Sequence, residues 1–192
     1  MDEIQILAEP RPTRADAVKN RELLILAARD LIAERGVEAV TTAMVAARAG
    51  VGKGTLYRHF PNGMSEVCQA LLDECQRHLQ DRALRRFRAG GDPVDHLVWF
   101  MEEALRFVDE RRPMLVTMEG VPGLAHPAHW WWMQTIRGLL GQINPQLDLD
   151  YAADALYVML DPRTVQFQRE TRGYSLERMV TALIEVVYKL VD

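Results

Sequence analysis

Apolar residues recur along most of this chain at three- and four-residue steps, the period of a helix with one buried face. Between Asp16 and Arg35 the stripe is Leu24, Ala28, Leu31 and Ile32, and Gly36 follows as a C-cap candidate. Val37 and Val40 then offer apolar contacts to what comes next. Thr41 is a good N-cap for a short helix over 42–49, in which Val45 and Ala49 point inward. Gly50 can supply the positive φ of a tight turn. In the next short helix, Leu56 and Phe60 lie four apart and face the core. Two turns of helix are unstable alone in water, so this pair must be braced by its neighbours.

The pattern then lengthens. Val67, Leu71, Leu72, Cys75 and Leu79 predict a long helix from about Met64 to Arg88, broken by Gly90, Gly91 and Pro93. Its basic end, Arg82, Arg85, Arg86 and Arg88, reads as a solvated C-terminus favoured by the helix dipole. Residues 94–109 carry an unusually wide apolar arc that includes Phe100 and Phe107, which implies burial from several sides. Trp99 sits apart from that arc, on the face of Glu103 and Arg106. Pro113 is expected to open a separate short segment containing Met114, Leu115, Val116 and Met118. A turn-rich loop leads to Pro127, fit for the first position of a helix with Trp132, Ile136, Leu139, Leu140 and Ile143 as its stripe. The last helices cover 150–170, split at Asp161-Pro162, and 175–190. Leu176, Met179, Val180, Leu183, Val187 and Leu190 give the final helix more apolar face than a monomer surface should show. With Leu156, Met159 and Leu160 they are expected to form a dimer interface. The fold class is all-α.

Charge divides the chain unevenly. The net charge is −4, yet residues 10–62 hold nine Lys/Arg against five Asp/Glu, while 63–192 hold fourteen against nineteen. A basic module on an acidic body fits phosphate contact at one end only. No run of about 18 apolar residues exists to span a membrane. Cys68 and Cys75 lie about 10 Å apart along one helix, too far for a disulfide, and read as reduced thiols of a cytoplasmic protein.

The chemistry concentrates in residues 41–63, TTAMVAARAGVGKGTLYRHFPNG. Opposite Leu56 and Phe60 lie Gly54 and Arg58, flanked by Thr55, Tyr57 and His59. Hydroxyls, a phenol, an imidazole and cations then face outward, able to bond phosphates and base edges. Gly52 and Gly54 remove bulk where helix N–H groups can approach a phosphate. A solvated bundle surface would need neither the glycines nor the aromatic ring. The run GVGKGT is not a nucleotide-binding P-loop: Lys53 is followed by Gly54 rather than Ser or Thr, and position 47 is alanine.

Residues 20–62, above all TTAMVAARAGVGKGTLYRHFPN, resemble the N-terminal domain of the TetR family of bacterial transcriptional regulators. The matching stretch is about a quarter of the chain, and the order Ala-Gly-Val, Gly, Thr-Leu-Tyr, His-Phe is specific. The resemblance implies an N-terminal three-helix DNA-binding head with a helix-turn-helix, a larger C-terminal helical bundle for ligand binding and dimerisation, and a homodimer. It places Thr42, Lys53, Gly54, Thr55, Tyr57 and His59 where the family contacts operator DNA, Tyr57 and His59 on phosphates, Lys53 and Thr55 near bases. Two positions depart. Gly63 stands where many members carry a phosphate-binding lysine, and Ala43 replaces a residue that reads bases in some of them. Sequence preference is therefore expected to lean on Lys53 and Arg58. The expected organisation is a flexible arm over 1–14, with Arg11 and Arg14, the head over 15–62, and the body over 63–192.

In the body, Trp130, Trp131 and Trp132 sweep about 200° of helix circumference, so one stripe cannot hold all three. Phe100, Phe107, Met114, Met118, His126, His129, Trp130 and Trp131 are the candidate lining of an effector pocket. The function expected is a repressor released from a palindromic operator by a small apolar or aromatic effector, with no cofactor and no catalysis. The alternative is a ligand-binding or metal-dependent enzyme domain using His126 and His129, with Glu119 near in sequence, beneath a vestigial head.

Overall fold

The computed structural model describes residues 14–117 and 127–191, and every regular element among them is helical. In chain order they are α1 (Arg14–Arg35), a single 3-10 turn (Val37–Ala39), α2 (Thr42–Arg48), α3 (Lys53–His59), α4 (Met64–Arg88) and α5 (Pro93–Thr117). There follow α6 (Pro127–Ile143), α7 (Leu149–Val158), α8 (Pro162–Gln166), a π-turn (Phe167–Thr171) and α9 (Leu176–Val191). The chain divides at Leu71/Leu72, within α4, into two compact units. The expected arm over 1–14 lies outside the described residues but for the backbone of Arg14.

In the N-terminal unit, α1 packs on both α2 and α3, which supplies the bracing those seven-residue helices require. Leu24, Ala28 and Leu31 meet Val45, Ala46, Leu56, Phe60 and Val67 in one core. Thr41 caps α2 by accepting a hydrogen bond from the Met44 backbone N–H at 3.3 Å. The turn onward to α3 runs through Gly50 at φ +69, a conformation that costs a side-chain-bearing residue about 1 kcal/mol. A bidentate pair, Arg48 to Glu34 at 2.9 and 3.0 Å, ties α2 to α1 on the surface.

In the C-terminal unit α5 is the central element, packed on α6, α8 and α9. Leu97, Phe100, Met101, Ala104 and Leu105 are essentially without solvent exposure, as the wide apolar arc required. Pro113 does not open a new segment: α5 continues through it to Thr117. A proline inside a helix forfeits one N–H bond and crowds the carbonyl four residues back. The helix is held by its packing on α6, α8 and α9, and Asp109 is bound by Arg112 within α5 at 2.8 Å and by Arg169 of the π-turn at 3.1 Å. Asp161 caps α8 through the backbone N–H groups of Arg163 and Thr164, with Pro162 at the first helical position, so the expected split is present.

Two further expectations need correction. Arg82 and Arg86 are not simply a solvated helix end, because both guanidinium groups lie over the Trp99 ring, at 5.7 and 5.2 Å. The stripe assigned to a dimer interface is largely used up inside the subunit. Met179, Val180, Leu183, Val187, Leu156 and Leu160 are all buried in the chain's own core. Periodicity identifies a buried face but not which chain buries it. Among the described residues of the last helices, the large apolar groups left outside are Tyr151, Val158, Phe167, Val186 and Tyr188.

Candidate functional site

On the outer side of α2 and α3 the seven expected contact residues come together. Lys53, Gly54, Tyr57 and Arg58 are exposed, and Thr42, Thr55 and His59 are partly so. Leu56 and Phe60, each 0% exposed, anchor the opposite side of α3 and so fix which way its polar side chains point. The hydroxyls of Thr42 and Tyr57 share a hydrogen bond of 3.2 Å, which links α2 to α3 at the surface. Arg58 donates to the Thr55 hydroxyl at 3.1 Å. The surface is thus pre-ordered by its own polar pairs.

His59 is pushed below the ordinary imidazole range, first by burial, then by the Arg58 and Arg21 charges. It is therefore neutral at pH 7 and offers a ring N–H rather than a cation. A Cβ added at Gly52 or Gly54 would meet nothing within 4 Å, so the protein's own packing does not require either glycine. Gly63 is different. It sits at φ +63, and a Cβ there would lie 3.4 Å from Thr42 Cγ2 and 3.8 Å from Tyr57 Cε1. The position expected as a missing lysine is therefore also a left-handed turn in ordinary contact range of the Thr42–Tyr57 pair.

The body's candidate residues fall into three groups. Met118 and His126 lie outside the described residues. Trp130 faces outward at 67% exposure and lines no interior wall. Phe100, Phe107 and His129 converge on the rings of Trp132 and Tyr157, neither of them in the expected lining, and Trp131 joins through Phe100. Trp132 takes Phe100, Phe107 and Tyr157 edge-on at centroid distances of 6.2, 5.6 and 6.2 Å. His129 stands edge-on to Tyr157 at 4.2 Å, and Phe100 meets Trp131 at 5.5 Å. Met114 is partly buried, and Arg111 lies 4.6 Å over the Phe107 ring. The signal that could have found Trp132 is its spacing: it lies three residues after His129, so both share one face of α6.

Burial raises the Tyr157 phenol to about 12 and, as the larger influence, lowers His129 despite the nearby Asp154 carboxylate. The indole N–H of Trp132 and Nδ1 of His129 are buried and find no hydrogen-bond partner among the described residues. The same holds for the side-chain amide of Gln76 on α4. Among the described residues no group of three His, Cys, Asp or Glu side chains could hold a metal ion. No described helix is long and apolar enough to cross a membrane.

Residues 24–70 match the profile of the bacterial regulatory proteins of the tetR family. The chain is 36% identical over 116 residues to the HTH-type transcriptional repressor KstR of Mycolicibacterium smegmatis, covering 60% of this chain and 55% of that one. It is 30% identical over 111 residues to the HTH-type transcriptional repressor BepR of Brucella suis, covering 56% and 53%. It therefore spans about half the length of the curated relatives it matches. In fold it is similar to RolR in complex with resorcinol, with a TM-score of 0.69 and 22% identity over 93% of this chain and 90% of that one.

Proposed function

Because the chain belongs to the tetR family of bacterial regulatory proteins, we propose that it is a DNA-binding transcriptional repressor whose operator contact is the α2–α3 surface. The observation that carries this reading is the pairing of Thr42 with Tyr57 beside two glycines that leave open space. Gly54, inside α3, costs about 1 kcal/mol relative to alanine, whereas Gly52 is the N-cap, where glycine is well tolerated. Where nothing in the protein occupies the missing volume, close approach by a partner's backbone explains the residue. Tyr57 and Thr42 then bond phosphate oxygens and set the register, while Lys53, Thr55 and Arg58 reach base edges. His59 adds a neutral N–H to a phosphate. The arm residues Arg11 and Arg14 would add backbone or minor-groove contacts.

Two copies acting together place their α3 helices about 34 Å apart, one turn of DNA, and so read a palindrome. The exposed Val158, Phe167, Val186 and Tyr188 are the apolar surface available for that dimer. The aromatic cluster of the C-terminal unit is the effector site, and an effector that binds preferentially to the DNA-incompetent conformation releases the operator through its differential affinity. Such a regulator acts in the cytoplasm and catalyses nothing.

The test is binding of the full chain to the DNA upstream of its own gene, by footprinting and by fluorescence anisotropy across a salt series. A protected palindrome with a steep negative salt slope is the expected result. No protection at low salt would sink the reading.

A further inference from the structure

Trp132 is 5% exposed, yet its indole N–H has nothing to donate to among the described residues. One helical turn earlier on the same face of α6, His129 buries Nδ1 in the same condition. Both rings meet Tyr157 edge-on, and Trp132 also meets Phe100 and Phe107. An unmet buried donor or acceptor is costly, and a neighbouring pair of them is an invitation to one group that satisfies both. We infer that the effector is a neutral aromatic compound bearing a hydroxyl, its oxygen accepting from Trp132 Nε1–H and its hydrogen donated to His129 Nδ1. This rests on the reading of the cluster as the effector site.

The chemistry of the two groups selects the ligand. Indole only donates, so the ligand must present an acceptor. The lowered His129 is neutral, and with its proton on Nε2 it leaves Nδ1 as an acceptor that needs a donor. A hydroxyl supplies both from one atom; an ether or a bare ring does not. The Asp154 carboxylate near His129 opposes an anionic head. Walls of Phe100, Phe107, Trp132 and Tyr157 accept a ring edge-on or offset. Trp132 and Tyr157, absent from the sequence-based lining, are thereby placed at its centre.

Calorimetric titration of the full chain with 4-ethylphenol, ethylbenzene, 4-ethylanisole and 4-ethylbenzoate tests this. The phenol is expected to bind about tenfold more tightly than ethylbenzene or the anisole, the worth of one to two buried hydrogen bonds. Trp132→Phe, and independently His129→Phe, should shrink that ratio toward one. Equal affinity for phenol and ethylbenzene overturns the inference, as when a bound water already satisfies the pair, but leaves an apolar effector site standing. Preference for the benzoate overturns the neutral head. Binding of none of the four to the wild-type chain overturns the aromatic effector reading itself.

Discussion

The two units of this chain finish their polar groups differently. In the N-terminal unit several polar side chains on α2 and α3 are paired: Thr42 with Tyr57, Arg58 with Thr55, and Arg48 with Glu34 of α1. In the C-terminal unit lie the buried side-chain atoms without a hydrogen-bond partner among the described residues. They belong to Gln76, His96, His129, Trp132 and Arg169, the last still within ion-pair reach of Asp109. A surface that meets a rigid, repetitive phosphate backbone gains from being set in advance. An interior that must accept a small molecule keeps polar atoms unspent until it arrives. Under the proposed function, the contrast sets a fixed reader against a receptor.

The largest expected effect breaks the reader at its root. Phe60→Ala removes a fully buried ring from a core built of little more than a dozen side chains, and should cost about 3–5 kcal/mol. Loss should be local: hydrogen exchange across α1–α3 would speed up while α5 and α9 stay protected. Uniform loss of protection would mean that the division at Leu71/Leu72 is not a division in stability.

Tyr57→Ala tests the surface rather than the core. Tyr57 is half-exposed, so the midpoint of thermal unfolding should hardly move. Operator affinity should fall by roughly 100-fold, about 3 kcal/mol shared between two subunits, since a phosphate contact and the anchor of Thr42 go together. An unchanged affinity with an unchanged midpoint would place the DNA-contacting surface elsewhere.

These two residues also show why the head was legible in the sequence and the body less so. Leu56, Phe60, Gly50 and the Thr41 cap each act through local geometry, and local geometry is periodic or tied to one residue type. The helix through Pro113 escapes a local rule because α5 packs on α6, α8 and α9 and takes Arg169 from the π-turn on Asp109, contacts that no spacing shows. The stripe of α9 was recognised as buried but given to the wrong neighbour, since amphipathicity carries no address. Trp132 and Tyr157 come together from α6 and α7, twenty-five residues apart, a proximity no spacing rule contains. The glycine at 63 read as a lost cation; only its positive φ and its nearness to Thr42 and Tyr57 give it a positional reason.

Gln76→Leu sharpens the receptor side at a smaller scale. Gln76 is buried, and its side-chain amide finds no hydrogen-bond partner among the described residues. An apolar side chain of similar volume removes that penalty, so the ligand-free protein should gain about 1 kcal/mol in urea unfolding. A loss of similar size would show that the amide is satisfied in solution, and the contrast between the units would weaken accordingly.

The smallest effect is set by pH, and it turns the comparison back on the reader. His59 is held below the ordinary imidazole range by burial, Arg58 and Arg21. Its folded pKa is lowered, so as pH falls below about 6.5 the unfolded chain takes up the proton first and the head loses stability. Operator DNA acts in the opposite direction, because a phosphate beside the ring favours the imidazolium and binding takes up a proton. Affinity should therefore rise as pH falls through the same window while stability falls. The rise should be only about threefold, because solvent screens this partly open edge. Other groups titrate there too, so the quantity to measure is the difference between wild type and His59→Gln in anisotropy titrations at pH 7.5 and 5.5. A rise that survives in His59→Gln would assign the proton to another group and remove His59 from the phosphate contacts.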